Sequence, residues 1–185
     1  MRLFDKLPDS IQVNGKEYAV NMAFDNILHI LEMLKDDRLS DGVKVLTGLN
    51  MLFEELPDLP FEELIVVWGE AFNALLGQEQ EIEYDLKGNP MPKRSKEEKK
   101  KVFDFSQDSD YIFSSFMQDY GINLFKEQGE LHWYEFNSLL NGLSENTKLR
   151  KVIEIRQAPF PKGSENAKKR EELRKLKKIY ELKGD

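Results

Sequence analysis

Apolar and polar positions alternate over the first twenty residues, and this pattern predicts a β-hairpin. Ile11 and Val13 alternate with polar residues, and a second short run, 16–20, follows Asn14-Gly15. An Asn-Gly pair between two such runs favours a type I′ turn, which needs positive φ at both central positions. Because an isolated hairpin is only marginally stable in water, we expect its apolar face to pack on other elements.

Three stretches after the hairpin carry apolar residues at helical spacing. They predict a helix from Phe24 that ends near Asp36-Asp37, a second that begins near Ser40 or Asp41 and reaches Phe53, and a third from Pro60 to Gly77. The third is the clearest, since Pro60 suits the first turn of a helix and Gly77 suits its end. The residues expected to face the core are Phe24, Ile27, Leu28, Leu31, Leu34, Val45, Leu46, Leu49, Leu52, Phe53, Leu64, Ile65, Trp68, Phe72, Leu75 and Leu76.

Helical spacing returns in the second half of the chain. It predicts a helix capped by Asp108 or Asp110 and closed by Gly121, a second over 131–141, a third capped by Ser144, and a fourth over 165–182. The residues expected to face inward are Ile112, Phe113, Phe116, Met117, Tyr120, Trp133, Phe136, Leu139, Leu140, Leu149, Val152 and Ile153. The predicted fold class is therefore mainly α, with six to seven helices and an N-terminal β-hairpin.

The charged segment between these two sets of helices predicts the division of the chain. Residues 78–104 hold Gly88, Pro90 and Pro92 beside a dense run of charges, which is typical of a flexible connector. The predicted parts are thus 1–77, the connector 78–104, and a C-terminal helical part, 105–185. The pattern leaves open whether the C-terminal part forms one compact domain with 1–77.

The charge is unevenly distributed along the 185 residues. The net charge is −7, but residues 1–92 carry 7 Lys and Arg against 18 Asp and Glu, whereas residues 93–185 carry 20 against 16. The acidic half argues against nucleic acid as its ligand. No apolar run approaches the roughly 20 residues of a membrane span, and the first ten residues do not read as a signal peptide. We therefore expect a soluble intracellular protein.

Few residues are candidates for catalysis or metal binding. The chain has no cysteine and two histidines, which excludes thiol chemistry and disfavours a three-histidine metal site. His29 shares a helix face with Asp25 and Glu32, but a surface histidine is the favoured interpretation, and His132 is expected to pack or hydrogen-bond at a helix N-terminus. No phosphate-binding or nucleophile motif occurs. We expect no catalytic residue, no metal and no cofactor, and hence no enzyme.

Two basic segments, 93–101 and 168–178, are the basis of an alternative function. Basic runs neutralise phosphates, so these segments would serve a nucleic-acid-associated protein. Both are interrupted by glutamates, and neither contains aromatic residues that stack on single strands. A solvated helix face is therefore favoured for both.

Three segments of the second half resemble a known family. The segments SDYIFSSFMQDYGINL, LHWYEFNSLLNGLSENTKLRKVIEIR and ELRKLKKIY, in this order, are similar to the bacteriophage family named after gene product fifteen. The residues that carry the resemblance are Tyr120, Gly121, Ile122, Leu131, His132, Trp133, Phe136, Leu140, Gly142, Leu143, Ile155, Arg156, Leu176, Lys177 and Tyr180. The hairpin followed by helices also fits this family.

The resemblance implies a role in the morphogenesis of long phage tails, as a tail assembly chaperone or a minor structural protein. The implied partner is the tape-measure protein or another tail protein, in the host cytoplasm, and self-association is left open. A chaperone of this kind needs apolar grooves and a soluble exterior. Aromatic residues beyond one inward stripe per helix are the candidates to line such a groove, with core packing as the alternative. The partner-binding candidates are Tyr111, Phe113, Tyr120, Trp133, Tyr134 and Arg156.

Overall fold

The computed structural model describes residues 3–76 and 102–184. The chain forms two compact units, Met1–Lys100 and Lys101–Asp185. The described residues contain seven α-helices and one two-stranded sheet, so the predicted mainly α fold with an N-terminal hairpin is confirmed. Of the predicted connector, residues 78–101 lie outside the described part of the chain.

The N-terminal hairpin turns where the sequence predicts it. Strand β1 (Ser10–Val13) pairs with the antiparallel strand β2 (Lys16–Ala19), and Val13 lies opposite Lys16. Between them, Asn14 has a φ of 49° and Gly15 a φ of 76°. Both values are positive, as a type I′ turn requires, because this turn matches the right-handed twist of the two strands.

Three helices follow the hairpin in the described part of the N-terminal unit. They are α1 (Phe24–Leu34), α2 (Asp41–Leu52) and α3 (Phe61–Ala71), and α3 continues into a π-helical turn, Phe72–Leu76. Helix α2 packs against both α1 and α3. The buried apolar side chains of these elements and their loops are Val13, Val20, Met22, Ala23, Phe24, Ile27, Ile30, Leu49, Leu52, Phe53, Leu64, Val67 and Ala71.

The hairpin is attached to the end of α2. Val20 forms an isolated antiparallel bridge with Phe53. The backbone N–H of Asn21 donates to the Leu52 carbonyl (2.7 Å), and that of Glu54 donates to the Ala19 carbonyl (3.2 Å). The hairpin therefore has the tertiary support that a two-stranded sheet needs.

The face of α3 that packs into the core differs from the predicted one. Leu64, Val67 and Ala71 are buried, whereas Ile65, predicted to face inward, has 45% of its surface exposed. Leu46 of α2 was likewise predicted inward and is exposed. Residues 64–67 of α3 are all apolar, so the spacing of apolar residues does not show which side of the helix faces the core. The packing of α3 against α2 determines that side.

Helices α2 and α3 approach closely at a glycine. A Cβ atom built on Gly48 would lie 2.5 Å from Cη2 of Trp68, closer than real Cβ contacts come. Glycine in a helix interior costs about 1 kcal/mol relative to alanine, but here it makes room for the indole. Near the start of both helices, the Phe61 ring lies next to Gly42. The order of the contacts is thus the same along both helices, Gly42 with Phe61 and then Gly48 with Trp68, so α2 and α3 run in the same general direction.

Four helices form the C-terminal unit. They are α4 (Ser109–Tyr120), α5 (Trp133–Gly142), α6 (Lys148–Gln157) and α7 (Ala167–Ile179), and a 3₁₀ turn, Ser164–Asn166, precedes α7. Gly121 ends α4 with a φ of 68°, as predicted, because a residue without Cβ adopts the left-handed conformation at low cost. Thr147 is the N-cap residue of α6, so the prediction of Ser144 was wrong. Ser144 instead donates two hydrogen bonds to the Asp119 carboxylate.

A chain of aromatic rings runs through the core of the C-terminal unit. Phe136 stacks on Phe116 (5.2 Å between ring centroids) and on Trp133 (5.8 Å). Phe105, from the segment before α4, packs against both Trp133 and Phe136. Large rings bury much apolar area, and this cluster is the centre of the unit. In contrast, α7 contributes no buried residue.

Candidate partner-binding surfaces

Two of the six partner-binding candidates make their contacts inside the C-terminal unit. Trp133 is only 8% exposed and lies in the aromatic cluster. Tyr120 packs edge-on against Phe116, and its hydroxyl donates a hydrogen bond of 2.8 Å to the Leu139 carbonyl. Burial raises the pKa of Tyr120, and the Asp119 charge raises it further. These contacts agree with the alternative in which the aromatic residues close the core.

Arg156 joins three separate parts of its unit. Its guanidinium forms a bidentate ion pair with the Asp108 carboxylate, with distances of 2.6 and 2.8 Å. It also donates to the carbonyls of Val102 and Tyr180. The side chain of Asp108 is 1% exposed and that of Arg156 11%. A planar, fork-shaped donor of this kind suits a buried carboxylate, so Arg156 ties the start of the unit to the end of α7.

Tyr111 and Tyr134 are half-buried at the edges of the unit. The Tyr111 ring lies edge-on to Tyr180, and the Lys148 ammonium sits over both rings and donates to the Tyr180 hydroxyl (2.7 Å). Tyr134 stacks on His132. Its backbone N–H donates to His132 Nδ1 (3.1 Å), which confirms the hydrogen-bonding role predicted for this histidine at a helix N-terminus.

Phe113 is the candidate that lies in an exposed apolar patch. Its ring contacts that of Phe125, with 5.1 Å between the centroids, and Phe125 is 71% exposed. Met117 lies one turn after Phe113 on α4 and is also exposed, although it was predicted to face inward. The structure thus does not bring the six candidates together in one groove, and partner binding by them stays a prediction.

A second set of exposed apolar side chains lies in the N-terminal unit, at the contact between α2 and α3. Leu46 lies one turn after Gly42, and Ile65 lies one turn after Phe61, the ring that covers Gly42. Residues one turn apart share a helix face, so Leu46 and Ile65 lie along the outer side of this contact. We call this surface the α2–α3 strip. Its members, all exposed, are Val43, Leu46, Phe61 and Ile65.

The surroundings of the α2–α3 strip are acidic. Residues 45–76 contain six carboxylates and no Lys or Arg. All six are exposed: Glu54, Glu55, Asp58, Glu62, Glu63 and Glu70. The nearest cation before them, Lys44, donates its ammonium to the Leu34 carbonyl at the end of α1 (2.8 Å). Between Val45 and Leu76 the chain thus carries exposed apolar side chains and only acidic charges.

This strip was not predicted from the sequence, because Leu46 and Ile65 were expected to face the core. Two features of the sequence indicate it. Residues 64–67 form four consecutive apolar positions, which is more than one core-facing row of a helix needs. The same region lacks any basic residue, whereas solvated helix faces usually mix both signs.

The described residues offer no assembled metal site. No group of three or more His, Asp or Glu side chains within residues 3–76 and 102–184 could hold a metal ion, and this includes Asp25, His29 and Glu32. Nor is any helix in these two ranges long and apolar enough to cross a membrane.

Only the second of the two basic segments lies in the described part of the chain. Residues 93–101 lie outside the described part of the chain, whereas 168–178 fall on α7. On α7, Lys175 forms an exposed ion pair with Glu171 (3.0 Å), as is typical of a solvated helix face. Nucleic-acid binding by these segments stays a prediction.

No curated protein and no solved structure matches this chain. The family model described as bacteriophage Gp15 protein matches residues 3–182, which span both units. This is the family that the C-terminal segments resemble, and the match extends the resemblance to the N-terminal unit. The chain belongs to the bacteriophage Gp15 protein family.

Proposed function

We propose that this phage protein is a tail assembly chaperone that binds an apolar helical client, the tape-measure protein, and catalyses no reaction. A tape-measure protein is long, helical and apolar, and must stay soluble until tail-tube subunits assemble around it. The proposed place of action is the host cytoplasm, before the tail is complete. The proposal assigns no cofactor.

The α2–α3 strip is the observation that carries this proposal. Exposed apolar residues scattered singly need no explanation, but a contiguous group on two neighbouring helices is typical of an interaction site. Two packed helices leave a groove along their contact, and a third helix fits such a groove with its apolar face. The strip therefore has the chemistry that a helical client requires.

The acidic surroundings of the strip fit the second requirement of a chaperone, solubility of the loaded complex. Exposed carboxylates keep a protein soluble more effectively than added basic residues do. The carboxylates of residues 45–76 are exposed and can stay hydrated when a client is bound. The complex then stays in solution until assembly releases the client.

Co-expression with the tape-measure protein of the same gene cluster tests the proposal. Wild-type protein should raise the soluble fraction of the tape-measure protein, and the two should purify together. Ile65→Ser should lower that soluble fraction, because it removes an exposed apolar anchor without opening the core. Ile179→Ser on α7 is the matched control, since Ile179 is 69% exposed and lies in the other unit.

Two outcomes would contradict the proposal. One is a tape-measure protein that is equally soluble with and without this protein, which would favour a structural role in the particle. The other is tight binding to heparin or nucleic acid that falls steeply with salt, which would favour the basic segments as the functional site.

A further inference from the structure

We propose that α7 detaches from the rest of the C-terminal unit as one piece, while α4, α5 and α6 stay folded. A set of hydrogen bonds at the last turn of α7 holds the helix in its docked position, and we call this set the Tyr180 latch. Its members are Gln107, Lys148, Arg156, Lys177, Tyr180 and Lys183. The inference does not depend on the proposed function, because it concerns a motion within one unit.

The face of α7 that lies against its unit is mostly polar. Its half-buried residues are Arg170, Leu173, Lys177 and the C-cap residue Tyr180. Their spacing of three and four places them on one side of the helix. Helices in proteins owe most of their stability to the packing of an apolar face, and α7, with 13 residues, is short enough to be marginal on its own in water. Since it contributes no buried residue, apolar packing adds little to its docking.

The bonds at the start of α7 do not tie it to another helix. The Arg170 guanidinium donates to the carbonyls of Pro161 (3.1 Å) and Gly163 (2.6 Å), in the segment that leads into α7. These bonds lie within residues 161–170, so they are kept when this part of the chain moves together. Gly163 has a φ of 93°, a backbone conformation that favours glycine.

The bonds to α6 lie at the other end of α7 and run in both directions. The Lys177 ammonium donates to the Arg156 carbonyl in the last turn of α6 (2.8 Å), and Nε of Arg156 donates to the Tyr180 carbonyl at the end of α7 (2.6 Å). Lys148, at the start of α6, donates to the Tyr180 hydroxyl (2.7 Å). Each helix thus supplies a cation to a C-terminal carbonyl of the other.

Two further contacts join the end of α7 to the region around the start of α4. The side-chain amide of Gln107 donates to the Lys183 carbonyl (3.0 Å) and accepts from the Lys183 N–H (2.8 Å). The Tyr180 ring lies edge-on to Tyr111, with 6.1 Å between the centroids. Both residues of the Gln107–Lys183 pair are exposed. Water can replace the hydrogen bonds of such groups, so the latch opens at a modest cost in free energy.

The core of the unit does not need the latch. Arg156 keeps its bidentate bond to the buried Asp108 when Tyr180 leaves. The aromatic cluster around Phe136 includes no ring of α7. Regions with few buried apolar contacts open at a lower free energy than the core does. Because the latch lies at the end of α7 away from its connection to α6, its loss frees the whole helix at once.

Hydrogen exchange of the full-length protein, followed amide by amide, tests the inference. The protection factors of residues 171–179 in α7 should be at least about 100-fold lower than those of residues 113–120 in α4, because α7 opens without the core. Within α7 they should be similar to one another, since the helix opens as one piece. Fraying from the chain end would instead give protection that falls steadily toward residue 179.

Two variants test the latch, and a neighbouring position supplies the control. Lys177→Ala should lower the protection of α7 at least about threefold, because it removes the bond to the Arg156 carbonyl. Lys178→Ala makes the same change in helix propensity at the next residue, which is exposed, and should leave the protection unchanged. Gln107→Ala should act like Lys177→Ala without altering the sequence of α7. The protection of α4 should stay constant in all three variants.

Four results would overturn the inference. The first is protection of α7 equal to that of α4, and the second is a steady fall in protection along α7. The third is an equal effect of Lys177→Ala and Lys178→Ala, which would show that the bond to Arg156 does not hold the helix. The fourth is a loss of protection in α4 that accompanies the loss in α7 on Gln107→Ala, since the two helices would then open together.

Discussion

The Oγ atom of Ser115, on α4, accepts a hydrogen bond of 3.1 Å from the backbone N–H of Leu149, in the first turn of α6. Ser115 is fully buried, and its hydroxyl donates to the Tyr111 carbonyl (2.6 Å). Thr147, the N-cap residue of α6, makes no side-chain capping bond, and its hydroxyl donates to the Ser144 carbonyl. Helix α4 thus supplies the side-chain cap that the N-cap residue of α6 does not.

Ser115→Ala should lower the free energy of unfolding of the C-terminal unit by about 1–3 kcal/mol, because it leaves the buried Leu149 N–H without a partner. Urea unfolding followed by Trp133 fluorescence, in a Trp68→Phe background, measures this. Ser114→Ala is the control, since the exposed Ser114 hydroxyl also donates to the Tyr111 carbonyl but caps no other helix. Equal effects of the two variants would contradict the capping role.

Gly48→Ala and Gly69→Ala should change the stability of the N-terminal unit in opposite directions. A Cβ at Gly48 collides with Trp68, and overpacking of this kind costs about 1–3 kcal/mol. A Cβ at Gly69, in the interior of α3, meets nothing within 4 Å, so alanine should stabilise by up to about 1 kcal/mol through its higher helix propensity. Trp68 fluorescence in a Trp133→Phe background follows both. Stabilisation by Gly48→Ala would show that the indole can move aside.

Removal of Arg156 should strongly destabilise the C-terminal unit. Arg156→Ala leaves the buried Asp108 carboxylate without its cation, and breaking a buried ion pair costs about 3–5 kcal/mol. Arg156→Lys should recover only part of this loss, because an ammonium cannot form the bidentate contact. Arg150→Ala, at an exposed position of the same helix, is the control. If the free energy of unfolding of Arg156→Lys in urea equalled that of the wild type, the bidentate contact would contribute nothing to stability.

Substitution of a packed and of an exposed aromatic residue in the C-terminal unit should have very different effects on its stability. Trp133→Ala should cost about 3–5 kcal/mol, because the indole fills the centre of a packed cluster. Phe125→Ser should change stability by no more than about 0.5 kcal/mol, because the ring is largely exposed. Thermal unfolding followed by circular dichroism compares them. A small loss for Trp133→Ala together with loss of client binding would instead identify Trp133 as a surface anchor.

Features set by neighbouring residues could be predicted from the sequence. The Asn14-Gly15 turn, the end of α4 at Gly121 and the hydrogen bond from Tyr134 to His132 all depend on residues within a few positions of each other. Their backbone conformations follow from local sterics and from capping, which do not change with the rest of the fold. The spacing of apolar residues likewise predicted each helix within a few residues of its observed bounds.

Features set by distant residues could not be predicted. The sequence placed Ile65 and Leu46 in the core, but the close approach of Trp68 to Gly48 decides which row of α3 faces α2, and it leaves both residues exposed. Asp108, one of the two predicted caps of α4, is its N-cap residue, but its carboxylate makes no capping bond and pairs with Arg156, 48 positions later. Such choices depend on how whole helices pack, because a helix with apolar residues on several sides has more than one face to bury. The sequence by itself therefore determined the elements and their ends, and only the tertiary structure decided which apolar face remains free for a partner.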